Sequence, residues 1–435
     1  LHDDWVLEAI SPNLYLSYCP SATVIKAHDL DNTTWFIIGI VTTYGIELEL
    51  PEISLSKLHT ADVEEATSRW AGRWCLISAN MILMDATNLI GLVYSKDQTI
   101  IASSVALLNE LLTGERSLPR HPLKSNYYHN WYLLPLTGYT GIRKLLPQQK
   151  LTLSENIGAN WILTARRFSI DRSELSYEDL YYELKNSLEN EIKFLATKNK
   201  LNLHIALSGG YDSRLILALA MSSGCQFECY THTIASMKVS DYTVPPLCSS
   251  HRYITARKEQ PERLRLFDQQ NGMHALDNDR LLFSRGQWDK FKTEDVCLRG
   301  GILELAGHSQ AHLYDRVENR SFEDIDARLF NYALKDFRSF QIDSMIEFFK
   351  FQRQEPLIGF DFNKIYYLNQ RIAGWLSYIE TGLDLLPSKS YNLGNSIYQI
   401  NLMNSLPENV KKHKGFHIDY IYRNHPELLN YPFNS

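Results

Sequence analysis

Residues Ser208–Ser213 read Ser-Gly-Gly-Tyr-Asp-Ser, and this segment decides the fold. It follows an apolar stretch, Leu201–Leu207, that is typical of a buried strand, and it precedes an apolar run with helical character, Arg214–Ser222. A strand, a glycine-rich turn and a helix N-terminus together form an anion site, because backbone N–H groups and the helix dipole face the same point. Asp212 adds a carboxylate beside that anion, which indicates a cation between the two. The segment therefore predicts a site for nucleotide phosphates and Mg²⁺.

Two other interpretations of the segment were weighed against this one. A Walker A loop is excluded, because no Gly-Lys-Ser/Thr follows at the required spacing. A Ser-Gly-Gly turn that merely ends a strand is the blander alternative. The preceding strand, the Asp-Ser pair and the following helix favour the nucleotide site.

Composition limits the class of protein. The chain has 435 residues, 44% hydrophobic and 22% charged, which is typical of a globular protein with two or three domains. A net charge of −6 without basic tracts argues against nucleic-acid and membrane partners. No apolar run reaches the roughly 18 residues of a membrane span, and acidic residues interrupt Leu1–Ile10, so no signal peptide is expected. Scattered cysteines favour reduced thiols and a cytoplasmic location. The six are Cys19, Cys75, Cys225, Cys229, Cys248 and Cys297.

The hydrophobic pattern changes along the chain. Short apolar segments separated by turns predict a β-rich first domain, residues 1–160, followed by a polar linker, 161–176. Tyr177–Ala196 has helical periodicity and opens the second domain, 177–435. Strands that alternate with helices there predict a parallel sheet covered on both faces, with a largely helical C-terminal part. The strand segments are Trp35–Val41, Trp74–Ser78, Met81–Asp85, Leu92–Tyr94, Phe227–Thr233, Arg252–Thr255 and Val296–Leu298.

The second domain resembles the synthetase domain of asparagine synthetases and β-lactam synthetases, which are pyrophosphate-loop (PP-loop) ATP pyrophosphatases. Ser208–Ser213 matches the family's Ser-Gly-Gly-x-Asp-Ser loop, and Tyr230–Ile234 falls where its second strand holds adenine. Ser240-Asp241 falls at its Ser-Pro-Asp segment. Arg299–Leu305 falls at its Ser-Gly-Glu-Gly-x-Asp-Glu segment, which places Glu304 on the second metal-binding carboxylate.

The first domain resembles the glutaminase-type, Ntn-hydrolase-like half of the same enzymes. Gly72-Arg73-Trp74, Ala102-Ser103-Ser104 and the run Gly141–Pro147 are similar to family motifs in the same order. The resemblance thus covers nearly the whole chain. It implies an α/β protein in which a β-rich sandwich precedes a PP-loop domain.

Three departures from the family pattern bear on activity. The sequence begins Leu-His-Asp-Asp instead of with a catalytic cysteine and lacks the family's glutamine-holding segments, so no glutaminase activity is expected. Glu304 replaces aspartate but remains a hard oxygen ligand for Mg²⁺. The family's catalytic lysine near the C-terminus has no match in Pro426–Ser435. Arg299 is the first candidate for the missing cation, ahead of the cluster Lys411, Lys412 and Lys414; Arg371 and Lys389 are weaker ones.

The resemblance implies an AMP-forming carbon–nitrogen ligase that uses ATP and Mg²⁺. It would adenylate a small-molecule or peptide carboxylate and pass the acyl group to ammonia or a substrate amine, and a homodimer is a further expectation. Asp212 and Glu304 are expected to hold the metal and, with Arg299 and Lys414, to act in catalysis. The residues expected to bind the nucleotide are Leu207, Ser208, Gly209, Gly210, Tyr211, Asp212, Ser213, Thr233, Ile234 and Gly300.

Other functions remain open on sequence grounds. A nucleotide-binding pseudoenzyme or scaffold fits the altered motifs. A tRNA-modifying PP-loop enzyme fits less well, because the chain is acidic. Glu304, His308 and His312 share one face if their segment is helical, and this arrangement has two interpretations. A polar helix face near the nucleotide is favoured over a transition-metal site, because no His-Glu-x-x-His motif is present.

Overall fold

The computed structural model describes most of the chain, and the fold is reported for those residues alone. They are residues 4–12, 14–44, 48–114, 131–154, 160–168, 172, 174–233, 239–255, 290–307, 348, 350, 360, 362–384 and 386–433. None of the helices in these ranges is both long and apolar enough to cross a membrane.

The first domain is built on a six-stranded antiparallel sheet with strand order β11-β10-β6-β5-β4-β3. A hairpin, β1-β2, and a three-stranded sheet, β8-β7-β9, accompany it. The strands are β1 Val6–Ser11, β2 Leu14–Tyr18, β3 Val24–His28, β4 Thr34–Thr43, β5 Trp70–Ile77, β6 Met81–Met84, β7 Val93–Ser95, β8 Ile101–Ala102, β9 Ile142–Lys144, β10 Gln149–Ser154 and β11 Asn160–Ala165. The helices are α1 Pro51–Leu55, α2 Val63–Ala66 and α3 Val105–Thr113.

Strand β11 pairs with β10 from Asn160↔Ser154 to Ala165↔Gln149. The sheet therefore extends into the start of 161–176, which sequence analysis assigned to a linker. Polar residues there misled the assignment, since an edge strand needs an apolar face on one side only. Trp161 supplies that face and is buried in the core of the sheet.

The second domain contains a five-stranded parallel sheet, so the predicted mixed α/β class is confirmed. Its order is β14-β13-β12-β15-β16, and every neighbouring pair runs parallel. The strands are β12 Asn202–Ala206, β13 Phe227–Thr233, β14 His251–Thr255, β15 Asp295–Arg299 and β16 Lys389–Asn392. The middle residues of β12 and β15 are buried without alternation, as expected for strands covered on both faces.

Helices pack on this sheet. α4 begins at a capping box formed by Ser176 and Asp179 and buries the stripe Leu180, Leu184, Leu188. The helices are α4 Tyr177–Thr197, α5 Tyr211–Ser223, α6 Val239–Thr243, α7 Phe362–Tyr366, a π-helix Tyr367–Leu376, α8 Ser377–Leu383, α9 Ile397–Ser405, α10 Glu408–Lys412 and α11 Gly415–Asn424. The π-helix continues directly into α8, and we call Phe362–Leu383 the bridging helix because both domains contact it.

The chain reverses direction across the sheet between β12 and β15. From β12 it moves to β13 and β14 on one side, and later to β15 and β16 on the other. In parallel α/β sheets such a switch point opens a crevice at the carboxyl ends of the strands, where ligands bind. The Ser208–Ser213 loop leaves β12 there, and Gly300-Gly301 leave β15 beside it.

The two domains share one apolar core. Leu89, Leu133 and Leu146 of the first domain belong to the same buried cluster as Leu368 and Ile372 of the bridging helix. Polar contacts also connect the two domains. Thr42 Oγ1 lies 2.8 Å from Tyr391 Oη, and Gln370 forms two hydrogen bonds with the backbone of Leu134. The first domain therefore supports the second domain's helices directly.

Candidate nucleotide site

The loop after β12 is closed by its two serines. The Ser213 hydroxyl accepts from the Ser208 N–H at 3.2 Å and donates to the Ser208 carbonyl at 2.9 Å. The Gly210 N–H is 3.3 Å from Ser208 Oγ. Both serines are thus used to fold the turn at the N-terminus of α5, where the helix dipole favours an anion.

One donor of this loop already faces a carboxylate. The Gly209 N–H donates to Asp241 Oδ1 at 2.7 Å, and Asp241 comes from α6, after β13. A backbone N–H that binds a carboxylate oxygen can bind a phosphate oxygen by the same geometry. The contact shows that the loop's N–H group is aimed at an anion.

Asp212 lies in the first turn of α5 and is paired with a histidine from α11. Its Oδ1 is 2.8 Å from His417 Nε2; the Asp212 side chain is 30% exposed and His417 is fully buried. Burial raises the pKa of Asp212, but the hydrogen bond to His417 and the charges of His417 and Lys414 outweigh it, so the pKa is lowered overall. Asp212 is therefore a carboxylate at neutral pH.

The loop after β15 packs tightly on the first loop. A Cβ added at Gly300 would lie 2.8 Å from Asp212 Cβ, and one added at Gly301 would lie 2.8 Å from Leu376 Cδ2. The Gly301 N–H donates to Asn392 Oδ1 at 3.2 Å. Only glycines fit here, because two loops and the bridging helix approach one another within van der Waals contact.

Arg299 ends β15 beside these glycines. Its Nε lies 3.6 Å from Oε1 of Glu380 on α8; Arg299 is 26% exposed and Glu380 is fully buried. Arg299 is also close enough to His232, at the end of β13, to act on its titration: burial and then the Arg299 charge lower the pKa of His232 to about 4. His232 is neutral at pH 7, which leaves Arg299 as the cation at this point of the edge.

Glu304 lies in the short 3₁₀ helix Leu303–Ala306 and accepts a hydrogen bond from the Tyr367 hydroxyl. Burial and this carboxylate raise the pKa of Tyr367 well above its usual value. Arg371, one turn along the π-helix, also contacts Tyr367 and lies over the Trp375 ring, 3.6 Å from its centroid. The predicted metal ligand therefore has one oxygen engaged by the bridging helix.

The three lysines of the basic cluster have different surroundings. Lys414 lies over the end of the second loop, since a Cβ at Gly307 would collide with its side chain, and its charge acts on Asp212. Lys411 is buried and donates to Asn404 O at 3.1 Å. Lys412 is exposed. Only Lys414 of the three is brought to the switch point.

The donor chemistry at the crevice suits a hard cation, although no group of three or more His, Cys, Asp or Glu residues that could hold a metal occurs among the described residues. Mg²⁺ commonly binds through one or two carboxylates plus substrate phosphates and water, so a three-residue cluster is not required. Asp212 and Glu304 each keep one carboxylate oxygen that is not used by His417 or Tyr367. These two residues therefore fit Mg²⁺ bound together with a nucleotide.

Comparison with known proteins adds little to this geometry. No family model and no curated protein matches the chain. Among solved structures, an NMN synthetase from Francisella tularensis is similar, with 14% identity over 56% of this chain and 97% of that chain and a TM-score of 0.21. A likeness at that TM-score carries no argument, and the resemblance to asparagine synthetases stays a hypothesis.

The described residues place most of the expected site at one edge. Thr233 ends β13, and Leu207 donates its N–H to Tyr230 O at 2.8 Å. Ile234, His308 and His312 lie outside the described residues, so neither the adenine contact of Ile234 nor the transition-metal site can be assessed. Lys389 begins β16 and so lies at the amino end of the sheet, away from the site. It is therefore not a candidate for the missing cation.

Tyr211 has a structural contact that the sequence did not suggest. Its ring stacks on Phe433 with centroids 4.1 Å apart and planes at 8°. Arg214, on the next turn, is fully buried and donates to the carbonyls of Leu428, Tyr431 and Pro432. The C-terminal segment is thus fastened to the helix that carries the nucleotide loop.

Three participants at the site were missed: His417, Tyr367 and Glu380. Glu380 had a usable signal, because it is the one charged residue in the largely apolar segment Ile372–Leu383. His417 and Tyr367 had none, since each reaches the crevice only through tertiary packing of distant helices.

Proposed function

We propose that this chain is an ATP-dependent, AMP-forming amide ligase of the asparagine-synthetase type. The observation that carries the proposal is the pair of glycine loops after β12 and β15, which meet at the switch point with Asp212, Glu304, Arg299 and Lys414 around them. An anion-binding loop flanked by two carboxylates and two cations suits a nucleotide triphosphate with Mg²⁺.

In the proposed reaction a carboxylate oxygen of the acyl substrate attacks the α phosphorus of ATP. The bond from that phosphorus to the bridging oxygen breaks, and pyrophosphate leaves with the electron pair. An amine, from ammonia or from the substrate, then attacks the acyl carbon, loses a proton and displaces AMP. Both steps are phosphoryl or acyl transfers, in which stabilising developing negative charge supplies much of the rate.

The residues divide the work by position. Loop N–H groups of Ser208–Ser213 hold the phosphates at the α5 N-terminus. Asp212 and Glu304 would hold Mg²⁺, which when bound neutralises charge on the leaving pyrophosphate. Arg299, at the end of β15, and Lys414, against Gly307, would supply the positive charge that the family's C-terminal lysine supplies. The first domain, read as a degenerate glutaminase-like sandwich, supports the bridging helix.

A second candidate function is a nucleotide-binding pseudoenzyme of the same fold. It is favoured by three contacts that use up ligand atoms: Asp212 with His417, Glu304 with Tyr367, and the Gly209 N–H with Asp241. In this case the loop binds a nucleotide, but no bond to the α phosphorus is broken.

ATP–pyrophosphate exchange with Mg²⁺, run across a panel of carboxylates, separates the two. Exchange that depends on one class of carboxylate supports the ligase. ATP binding without exchange on any carboxylate favours the pseudoenzyme, and absence of both contradicts the nucleotide site itself.

A further inference from the structure

Glu380 is a buried carboxylate that the proposed reaction does not use. It lies in the middle of α8 with no exposed surface, and both of its carboxylate oxygens lack a hydrogen bond in the described part of the protein. A buried ionised group without hydrogen bonds is costly unless an opposite charge compensates it. The role of Glu380 therefore depends on which positively charged side chain compensates its charge.

Two arginines lie near Glu380, and they differ in availability. Arg73 Nη2 donates to Asp384 Oδ2 at 2.6 Å and its Nε donates to Leu89 O at 2.8 Å, so its guanidinium is held by other acceptors. Arg299 has the 3.6 Å contact from its Nε to Glu380 as its ion pair. The charge of Glu380 also acts on Arg73, but Arg73 has Asp384 as its own ion-pair partner, whereas Glu380 is the ion-pair partner of Arg299 among the described residues.

Glu380 contacts the Nε edge of the Arg299 guanidinium, and the edge formed by the two Nη nitrogens faces elsewhere. Its Nη nitrogens form no hydrogen bond to any described residue, and the side chain is partly exposed at the carboxyl edge of the sheet. A planar guanidinium anchored at Nε presents two parallel Nη–H donors, which match two oxygens of a phosphate group. Glu380 therefore holds Arg299 at Nε, and the two Nη nitrogens have no hydrogen bond to a described residue.

The helix that carries Glu380 is fixed on both sides of it by the first domain. Lys144 Nζ donates to Ser377 Oγ at 2.6 Å and to Ala373 O at 2.8 Å, and Asp384 pairs with Arg73. Glu380 lies between Ser377 and Asp384 on the same helix. A carboxylate held between two such fixed points cannot follow a moving arginine, so it sets where the arginine sits.

We propose that Glu380 is a positioning residue that anchors Arg299 by its Nε edge and aims its Nη fork at the pyrophosphate portion of the nucleotide. This role rests on the proposed nucleotide site. It assigns the recognition of pyrophosphate to Arg299 and Glu380, and Glu380 lies on the helix that Lys144 of the first domain contacts.

The test is a double-mutant cycle on the full chain, with inorganic pyrophosphate and Mg²⁺ as the probe in calorimetric titration. Arg299→Met is expected to weaken pyrophosphate binding by about ten- to a hundredfold, the value of a charge-assisted pair of hydrogen bonds. Glu380→Gln is expected to weaken it to a similar extent, and the double variant no further than the weaker-binding single variant. Additive losses, or unchanged affinity in Glu380→Gln, would overturn the positioning role.

Controls separate this role from general loosening of the helix. Asp384→Asn removes a carboxylate–arginine pair from the same helix without touching Arg299, and it is expected to bind pyrophosphate as tightly as the unchanged protein. An equal loss in Asp384→Asn contradicts the proposal. If Glu380→Gln does not fold, Glu380→Met replaces it, since apolar side chains of similar volume often substitute for buried charges. Absence of pyrophosphate and ATP binding by the unchanged protein overturns the proposed function, and this inference with it.

Discussion

Asp212 Oδ1 and His417 Nε2 lie 2.8 Å apart and join the first turn of α5 to α11. The contact holds one carboxylate oxygen and leaves the other for a ligand. His417 is fully buried, and its Nδ1 has no hydrogen bond to any residue in the described ranges. Among the described residues, the hydrogen bond of His417 is therefore the one to Asp212. His417 orients this carboxylate, as outer residues orient the side chains that bind a metal.

Asp212→Asn is expected to abolish Mg²⁺-dependent ATP–pyrophosphate exchange while the protein stays folded. The amide keeps the shape and a polar contact for His417 but removes the negative charge that a cation requires. Exchange rate and thermal unfolding are measured together. Asp419→Asn serves as the control, because Asp419 is on α11, accepts from Tyr177 at 2.6 Å and does not touch Asp212. Normal exchange in Asp212→Asn would show that the metal role is wrongly assigned.

Lys414→Met is expected to slow exchange by about 10²–10³-fold, the usual effect of losing one charge-stabilising group. The side chain lies at Gly307 and its charge acts on Asp212, which places it at the loops where we propose that the phosphates bind. Lys412→Met is the matched control, since Lys412 ends α10 two residues earlier, is exposed and is expected to change nothing. Lys411→Met is expected to lower stability instead, because it removes the hydrogen bond to Asn404 O and the ion pair with Glu408. Equal rates for Lys414→Met and Lys412→Met would remove Lys414 from the site.

Sequence alone predicted the elements that depend on local pattern. The strand before Ser208, the helix after Asp212 and β13 at Phe227–Thr233 were expected within a few residues of where they occur, because short segments rich in apolar and aromatic residues are bounded there by glycine turns and a helical pattern. The sequence could also place Gly300 beside the loop, through the family resemblance. His417, Glu380 and Tyr367 could not be placed, because each reaches the crevice from a helix far along the chain. Strand β11 was missed because an edge strand carries only half of an apolar pattern.

Arg214→Met is expected to release the C-terminal segment from α5 and to lower the free energy of unfolding by about 3 kcal/mol. The buried guanidinium supplies donors to three backbone carbonyls, including that of Tyr431, and lies 3.7 Å from the Phe433 ring centroid. Limited proteolysis would detect new cleavage after residue 424, and urea denaturation would give the stability. Phe433→Leu tests the ring alone and is expected to cost less. Unchanged protection of the segment in Arg214→Met would show that other contacts hold it.

Removal of residues 1–160 is expected to give an insoluble fragment. Leu89, Leu133 and Leu146 share a core with Leu368 and Ile372, so deletion uncovers a large apolar surface on the bridging helix. Solubility and sedimentation of the resulting 161–435 fragment, and of a shorter 177–435 fragment that also lacks the linker, measure this. A monomeric, active fragment would contradict the supporting role of the first domain.

Glu191 lies at the interface between the two domains and makes the free energy of unfolding depend on pH. It is fully buried on α4, where it accepts from Tyr391 Oη and Gln399 Nε2, each at 2.8 Å, and Tyr391 in turn contacts Thr42 of the first domain. Burial raises the pKa of Glu191 from its ordinary value of 4.5 to about 7. The folded protein therefore holds this proton more tightly than the unfolded chain does, so the contribution to stability is complete below pH 4.5 and is lost as the pH rises to about 7.

Glu191→Gln is expected to abolish this loss of stability at rising pH, because the amide carries no charge at any pH in the range. The difference in free energy of unfolding between the variant and the unchanged protein should shift in favour of the variant by up to about 3 kcal/mol between acidic and neutral pH. Urea denaturation across this range measures it. Glu178→Gln is the control: Glu178 is exposed and paired with Arg423, which lowers its pKa, so any effect should be small and opposite in sign. Parallel pH profiles for the unchanged protein and Glu191→Gln would mean that Glu191 is ionised in the fold, with Tyr391 and Gln399 stabilising its charge.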